Sequence, residues 1–369
     1  MIRINHAYVV AAALVLQAFL PASLRAEGIR TDELQIPAVI SGATFKLEAI
    51  VVRPDDGGPH PLALINHGSP RDGNDRAKMS PYRMWSQAAA FARRGWTAVA
   101  FLRRGYGRSQ GGWVEGWGGC AYPVYERAGR IAAGDIAAVA RFMSGQPYVS
   151  KNIWISIGVS AGGFATVALT ADPPPGLAAA IAFAPGRGST APDQVCGEPE
   201  LVAAFAAYGK TSRTPLLWVS APNDHFFGPR LVKEMTDAFS RGGSHLSFVA
   251  APPFGEDGHQ LFRADGIAIW SPIIDRFLTD NHLRLREHEI EVAVPDLPAP
   301  TGLSDKGKAA FKTYLESGPN KAFVVSGTHF GWSTGRRSPD DAVKEALGFC
   351  APGTGLTCTV VNINDKPAK

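Results

Sequence analysis

The chain is poor in charge and in sulfur. Of its 369 residues only 19% are charged, five are methionine and four are cysteine. No long Lys/Arg run accompanies the formal net charge of +4, so the electrostatic footprint of a nucleic-acid binder is missing. The cysteines form no CxxC pair and no His-rich tract lies near them, which argues against a zinc site or a redox dithiol. Internal repeats and low-complexity tracts are absent, and beyond the N-terminal segment no apolar run is long enough to span a bilayer. These absences lead us to expect no cofactor, no metal, no nucleic-acid partner and no stable membrane insertion of the mature chain.

What is present is an ordinary globular composition, 45% hydrophobic, on a chain long enough for one large α/β domain and a small second unit. The N-terminus reads as a removable leader: Arg3 supplies positive charge, residues 7–20 are apolar, and Pro21-Ala22-Ser23-Leu24-Arg25-Ala26 ends on a small residue. The expected cut follows Ala26, making residues 1–26 a signal peptide; the alternative is an uncleaved anchor. Export to the periplasm or the medium would allow disulfides. Cys350 and Cys358 enclose a short Pro/Gly loop, so they are expected to pair, leaving Cys120 with Cys196.

Strand and helix signals alternate over residues 27–285. Residues 45–52, 62–66, 97–102, 153–159, 178–184, 216–220 and 247–250 read as strands; 81–94, 127–145, 164–171, 229–240 and 266–278 read as helices. Short apolar strands between helices indicate a mostly parallel sheet covered on both faces, with its site at the carboxyl ends of the strands. Pro295, Pro298 and Pro300 mark a linker over 286–303. Residues 304–369 read as a small α+β module stapled by Cys350–Cys358.

The segment Ile153-Trp154-Ile155-Ser156-Ile157-Gly158-Val159-Ser160-Ala161-Gly162-Gly163 carries the most chemistry. A buried strand runs into Gly-X-Ser-X-Gly and then a helix, the pattern of a nucleophile elbow. Two further matches exist, around Ser109 and Ser333, but neither has a strand directly before it and a helix directly after. Ser333 reads as part of a polar turn. Ser160 is therefore the expected nucleophile.

Serine needs a base, and the base needs a carboxylate to hold its tautomer. In this kind of sheet the chain order is Ser, Asp or Glu, then His. Asp224 follows the strand at 216–220, and His259 lies on the next carboxyl-end loop. Asp257 is the rival acid; His225 and His245 are rival bases. Two backbone donors should hold the oxyanion, Ala161 beside the nucleophile and Ser69 in the His67-Gly68-Ser69-Pro70 loop. His67 itself reads as a packed residue that orients this loop.

With His67-Gly68-Ser69, Arg104-Gly105-Tyr106-Gly107-Arg108-Ser109, Gly158-Val159-Ser160-Ala161-Gly162, Asn223-Asp224-His225 and Gly258-His259 together, the chain resembles secreted bacterial α/β-hydrolases of the dienelactone-hydrolase-like group, related in core to prolyl-oligopeptidase-type serine hydrolases. The resemblance covers about residues 45–280. It implies an exported serine hydrolase that cleaves a small-molecule carboxylic ester through an acyl-enzyme. Dienelactone hydrolases proper use cysteine where this chain has Ser160, which favours ester hydrolysis in general over dienelactone. The alternatives are a peptidase or amidase on the same scaffold, or a non-catalytic exported binding protein.

Arg103, Arg104 and Arg108 cluster after one strand, either to bind a substrate carboxylate or to form structural ion pairs. Trp113, Trp117, Tyr122 and Tyr125, tied by Cys120, either wall the site or anchor a long loop. Trp113, Trp117 and Arg104 are the candidate substrate contacts.

Overall fold

The computed structural model describes residues 28–350, 352–353 and 355–368. The leader expected at 1–26 lies outside the described residues. An eight-stranded sheet dominates: β1 (Ile29–Ile40), β2 (Ala43–Pro54), β3 (His60–Asn66), β4 (Thr97–Phe101), β5 (Val149–Val159), β6 (Leu177–Phe183), then, after a small hairpin of β7 (Ser189–Ala191) and β8 (Gln194–Val195), β9 (Leu216–Ser220) and β10 (Leu246–Ala250). The strand order is β1-β2-β4-β3-β5-β6-β9-β10. Pairings β1–β2 and β2–β4 are antiparallel, and the rest are parallel.

Alternate residues of the central strands enter two separate cores, as period-two geometry requires. Leu62 and Leu64 of β3 join Val99 and Phe101 of β4 in one core, while Ala63 and Ile65 join Ala98 and Ala100 in the other. The first is covered by α2 (Tyr125–Met143), α3 (Ala161–Thr170), α4 (Glu198–Gly209) and α5 (Pro229–Ser240). The second is covered by α1 (Trp85–Arg93) and α6 (Ile267–Asp280), which contribute Phe91, Trp270 and Ile274. The sheet is thus buried on both faces, and the strands are apolar runs for that reason.

Several elements depart from the sequence-based expectation, among them the β7–β8 hairpin and the short strand Lys366–Pro367. The long edge strand β1 and helix α4 were not foreseen. Helix α3 begins at Ala161, directly after the serine, so Gly162 and Gly163 are helical. These glycines answer to crowding, because a Cβ at Gly162 would lie 2.3 Å from the Asn66 carbonyl oxygen. Ser333 does not sit in a turn. It ends the strand His329–Ser333 and bonds Glu345.

Residues 281–304 carry no helix or strand, but they are not a loose tether. Ile290 is buried, its N–H donates to Arg93 O, and Arg93 and Arg94 both pair with Glu289. Beyond lie α7 (Asp305–Glu316), β11 (Ala322–Ser326), β12 (His329–Ser333), α8 (Pro339–Cys350), β13 (Thr359–Ile363) and β14 (Lys366–Pro367). The four strands form an antiparallel sheet ordered β12-β11-β13-β14. Its core is small, centred on Phe311, Tyr314 and Phe323. Buried Lys321 braces it, donating to three carbonyls at the end of α7 and pairing with Asp365, as the negative end of a helix favours. This unit packs on the large sheet through Arg337, which bridges Glu48 of β2 and Met79 O. The disulfides are Cys120–Cys196 and Cys350–Cys358, the pairing expected from spacing.

Candidate active site

Four carboxyl-end loops converge at one rim of the sheet, following β3, β5, β9 and β10. Ser160 stands between β5 and α3 with φ 55° and ψ −123°, a strained region for a residue with a side chain. The strain is held by three bonds: Ser160 N–H to Phe183 O at 2.9 Å, and Phe164 and Gly186 N–H to Ser160 O at 2.8 and 3.2 Å. Such tight passage requires Gly158, where a Cβ would lie 2.3 Å from Gly162 O.

His259 is buried, and its Nδ1 lies 3.0 and 3.1 Å from the two oxygens of Asp224. A carboxylate only accepts, so Nδ1 is the protonated nitrogen and Nε2 is left to take a proton. Asp224 is fixed in turn by the N–H groups of Phe226 and Phe227, at 2.7 and 3.0 Å. The imidazole lies flat on Phe226, 3.8 Å between centroids, and edge-on to Phe227. Ser160 and His259 border the same cleft of about 490 Å³. Among the described residues the His259 ring bonds Asp224 and not the Ser160 hydroxyl, and catalytic hydrogen bonds often tighten only in the substrate complex.

The rival residues are occupied elsewhere. Asp257 accepts the backbone N–H groups of His225 and His259 and does not meet the ring. His225 is half-buried and pairs with Asp193, and His245 is exposed at the start of a strand. Ser109 binds Leu102 O and the Glu48 N–H.

A second cleft of about 230 Å³ also borders Ser160, lined by Ser69, Ala161, Arg187, Trp113 and Trp117. Among the described residues no acceptor takes the Ser69 or Ala161 N–H. Both expected oxyanion donors therefore border one space, at the positive end of α3. Close approach is possible because Gly68 has no side chain: a Cβ there would lie 3.1 Å from Ser160 Cβ. Trp113 is seated by its indole N–H on the Tyr106 hydroxyl, and Trp117 stacks on Tyr125. A larger open groove of about 650 Å³ around Tyr125 and Glu200 contains none of these groups.

Arg104 borders neither cleft. Its guanidinium and its N–H both bind Asp135, buried in α2, so the substrate contact proposed for it gives way to an ion pair. His67 donates through Nδ1 to Gly68 O and accepts the Arg103 N–H at Nε2. Burial, and then the Arg103 charge, lower its pKa to about 3, so the ring is neutral and holds the loop. Sequence reasoning missed Phe226, although it stands two residues after the acid, and it missed Glu115 and Arg187, whose partners are distant in the chain.

Residues 42–198, less than half of the chain, match the family model for X-Pro dipeptidyl-peptidase (S15 family). No curated protein matches. Among solved structures the chain is similar to the esterase Pf2001 of Pyrococcus furiosus (16% identity, 68% of this chain and 93% of that one, TM-score 0.48). It is also similar to a putative dienelactone hydrolase from Klebsiella pneumoniae (15%, 68% and 98%, TM-score 0.46). Esterase 2 of Thermogutta terrifontis phosphorylated by paraoxon is a third such structure (18%, 71% and 97%, TM-score 0.46). The sheet order and the strand–serine–helix elbow give the chain an α/β-hydrolase fold, and the family match over that elbow supports a serine hydrolase.

Proposed function

We propose that the protein is an exported hydrolase of small-molecule carboxylic esters. Ser160 Oγ attacks the carbonyl carbon while His259 Nε2 takes its proton. The imidazolium is held by Asp224, and the tetrahedral oxyanion by the N–H groups of Ser69 and Ala161. Collapse releases the alcohol, which takes the proton from His259. Water then enters by the same route and frees the acid and Ser160. The observation that carries this proposal is the His259–Asp224 pair, 3.0 Å apart, with His259 bordering the cleft of the strained Ser160. The same buried pair speaks against a purely binding role.

Charge favours an ester over a peptide amino terminus. The larger cleft is lined by Arg71, Lys78, Arg83 and Arg263 against Asp75 as its one carboxylate. A dipeptidyl-peptidase must admit a cationic amino terminus, which this wall would repel. Export is supported by the two disulfides, which persist in oxidising compartments.

The test is a nitrophenyl-ester assay beside a dipeptide-amide panel, on the native protein and Ser160→Ala. Ester turnover and fluorophosphonate labelling should both vanish in the variant. Undiminished turnover in Ser160→Ala refutes the site, and amide turnover equal to ester turnover replaces the esterase with a peptidase.

A further inference from the structure

Beneath the oxyanion loop lies a group of charges that the proposed reaction does not use. Arg103, Glu115 and Arg187 are 0%, 1% and 4% exposed. Arg103 Nε lies 2.7 Å from one Glu115 oxygen, and Arg187 Nη2 lies 2.8 Å from the other. The Tyr106 hydroxyl bonds Glu115 and lies 2.9 Å from Ser69 Oγ. Arg103 Nη1 donates to the His67 carbonyl at 2.9 Å, so the group grips the oxyanion loop directly. Arg187 borders the smaller cleft with Ser69, Ser160 and Ala161, and its Nε has no acceptor among the described residues.

The charges do not balance. Burial alone would raise the Glu115 pKa, but Arg103 and Arg187 hold it far below the usual carboxylate range, so it is ionised. His67 is neutral, and the neighbouring Arg104 is matched by Asp135. Two guanidiniums against one carboxylate leave one net positive charge. Burying an unmatched charge is costly, and apolar residues of similar volume would pack a loop at least as stably. Packing therefore does not account for this arrangement.

We propose that the Arg103–Glu115–Arg187 group is an electrostatic support of the oxyanion site, holding one uncompensated positive charge against the cleft where the acyl oxygen becomes negative. None of the three needs to touch the substrate. They act as positioning residues: Arg103 shapes the loop that presents the Ser69 N–H, and the excess charge, shared by Arg103 and Arg187 across Glu115, lies behind the cleft wall that Arg187 borders. Preoriented charge in a water-poor site stabilises a transition state without reorganising, so its effect belongs in kcat and not in KM. The proposal rests on the Ser160 site described above.

Charge-balanced variants separate this role from a structural one. Arg187→Met leaves the group neutral; Glu115→Gln combined with Arg187→Met restores one positive charge, carried by Arg103. On one nitrophenyl ester, Arg187→Met should lower kcat about 10- to 100-fold, somewhat less than loss of a direct oxyanion donor, with KM changed less than about threefold. The double variant should recover kcat to within about fivefold of native, although it is further from the native side chains. Arg187→Lys should stay near native. If Arg187→Met does not fold, native and double variant alone decide, since both carry the same net charge and a folded double variant with collapsed kcat refutes the proposal. A double variant no faster than Arg187→Met refutes it as well, while the native protein still turns over. A native protein that neither turns over esters nor takes up fluorophosphonate refutes the Ser160 site and this proposal together.

Discussion

His67 should make the protein lose stability in mild acid without taking part in catalysis. Its native pKa is lowered from 6.5 to about 3, first by burial and then by the Arg103 guanidinium. In the unfolded chain the ring titrates normally. Above the unfolded value neither state binds the proton and nothing is lost. Below it, the unfolded chain takes up a proton that the native state refuses, so stability falls as pH drops toward the native pKa. Linkage gives a loss of about 2 kcal/mol between about pH 7 and about pH 5 from this ring alone. The perturbation is His67→Asn, which cannot titrate and retains a donor near Gly68 O. The variant should be less stable at both pH values, because the buried Arg103 N–H loses its acceptor. Its stability difference between the two pH values, however, should be about 2 kcal/mol smaller than that of the native protein. Urea unfolding followed by fluorescence of the eight tryptophans measures this at matched ionic strength. An unchanged pH increment would mean that the ring is protonated in the fold, and the neutral, loop-holding role would be wrong.

Two further predictions concern the site and its wall. Asp224→Asn should preserve the fold yet reduce kcat by about 10³- to 10⁴-fold, since the amide can donate to Nδ1 and favour the wrong tautomer; a loss below tenfold by steady-state assay removes Asp224 from the triad. Arg337→Met should remove the guanidinium from Glu48, which keeps only the Arg108 N–H, and from Met79 O, and loosen segment 79–84, which lines the larger cleft. Thermal unfolding should show a loss of about 1–3 kcal/mol, and KM should shift for bulky acyl esters while acetate-ester kcat stays within about twofold.

The contribution of the second unit was the least visible in the sequence. Residues 304–368 carry none of the proposed catalytic groups, yet they press on the wall of the cleft. A Cβ at Gly318 would lie 2.5 Å from the Trp85 ring, and one at Gly335 would lie 2.9 Å from Tyr82 O. These contacts join positions more than 200 residues apart, and no local pattern encodes them. The Arg103–Glu115–Arg187 group was hidden for the same reason. Arg103 was seen as one of a basic cluster, but its acid sits in a glycine-rich aromatic stretch and the second arginine follows another strand.

Local chemistry was legible wherever it depended on neighbours in the chain. The strand-then-helix context singled out Ser160 among three Gly-X-Ser-X-Gly matches, because strain at φ 55° needs a strand and a helix to hold it on either side. Chain order alone nominated Asp224 and His259, since parallel strands deliver successive loops to one rim. Tertiary structure decided the rest. It turned Asp257 toward backbone N–H groups and away from the imidazole, tied Arg104 to Asp135, laid Phe226 under the His259 ring, and gathered two arginines on one glutamate under the oxyanion loop. A side chain's partner depends on which face its backbone presents and on what packs opposite. Only the closed fold determines those two facts.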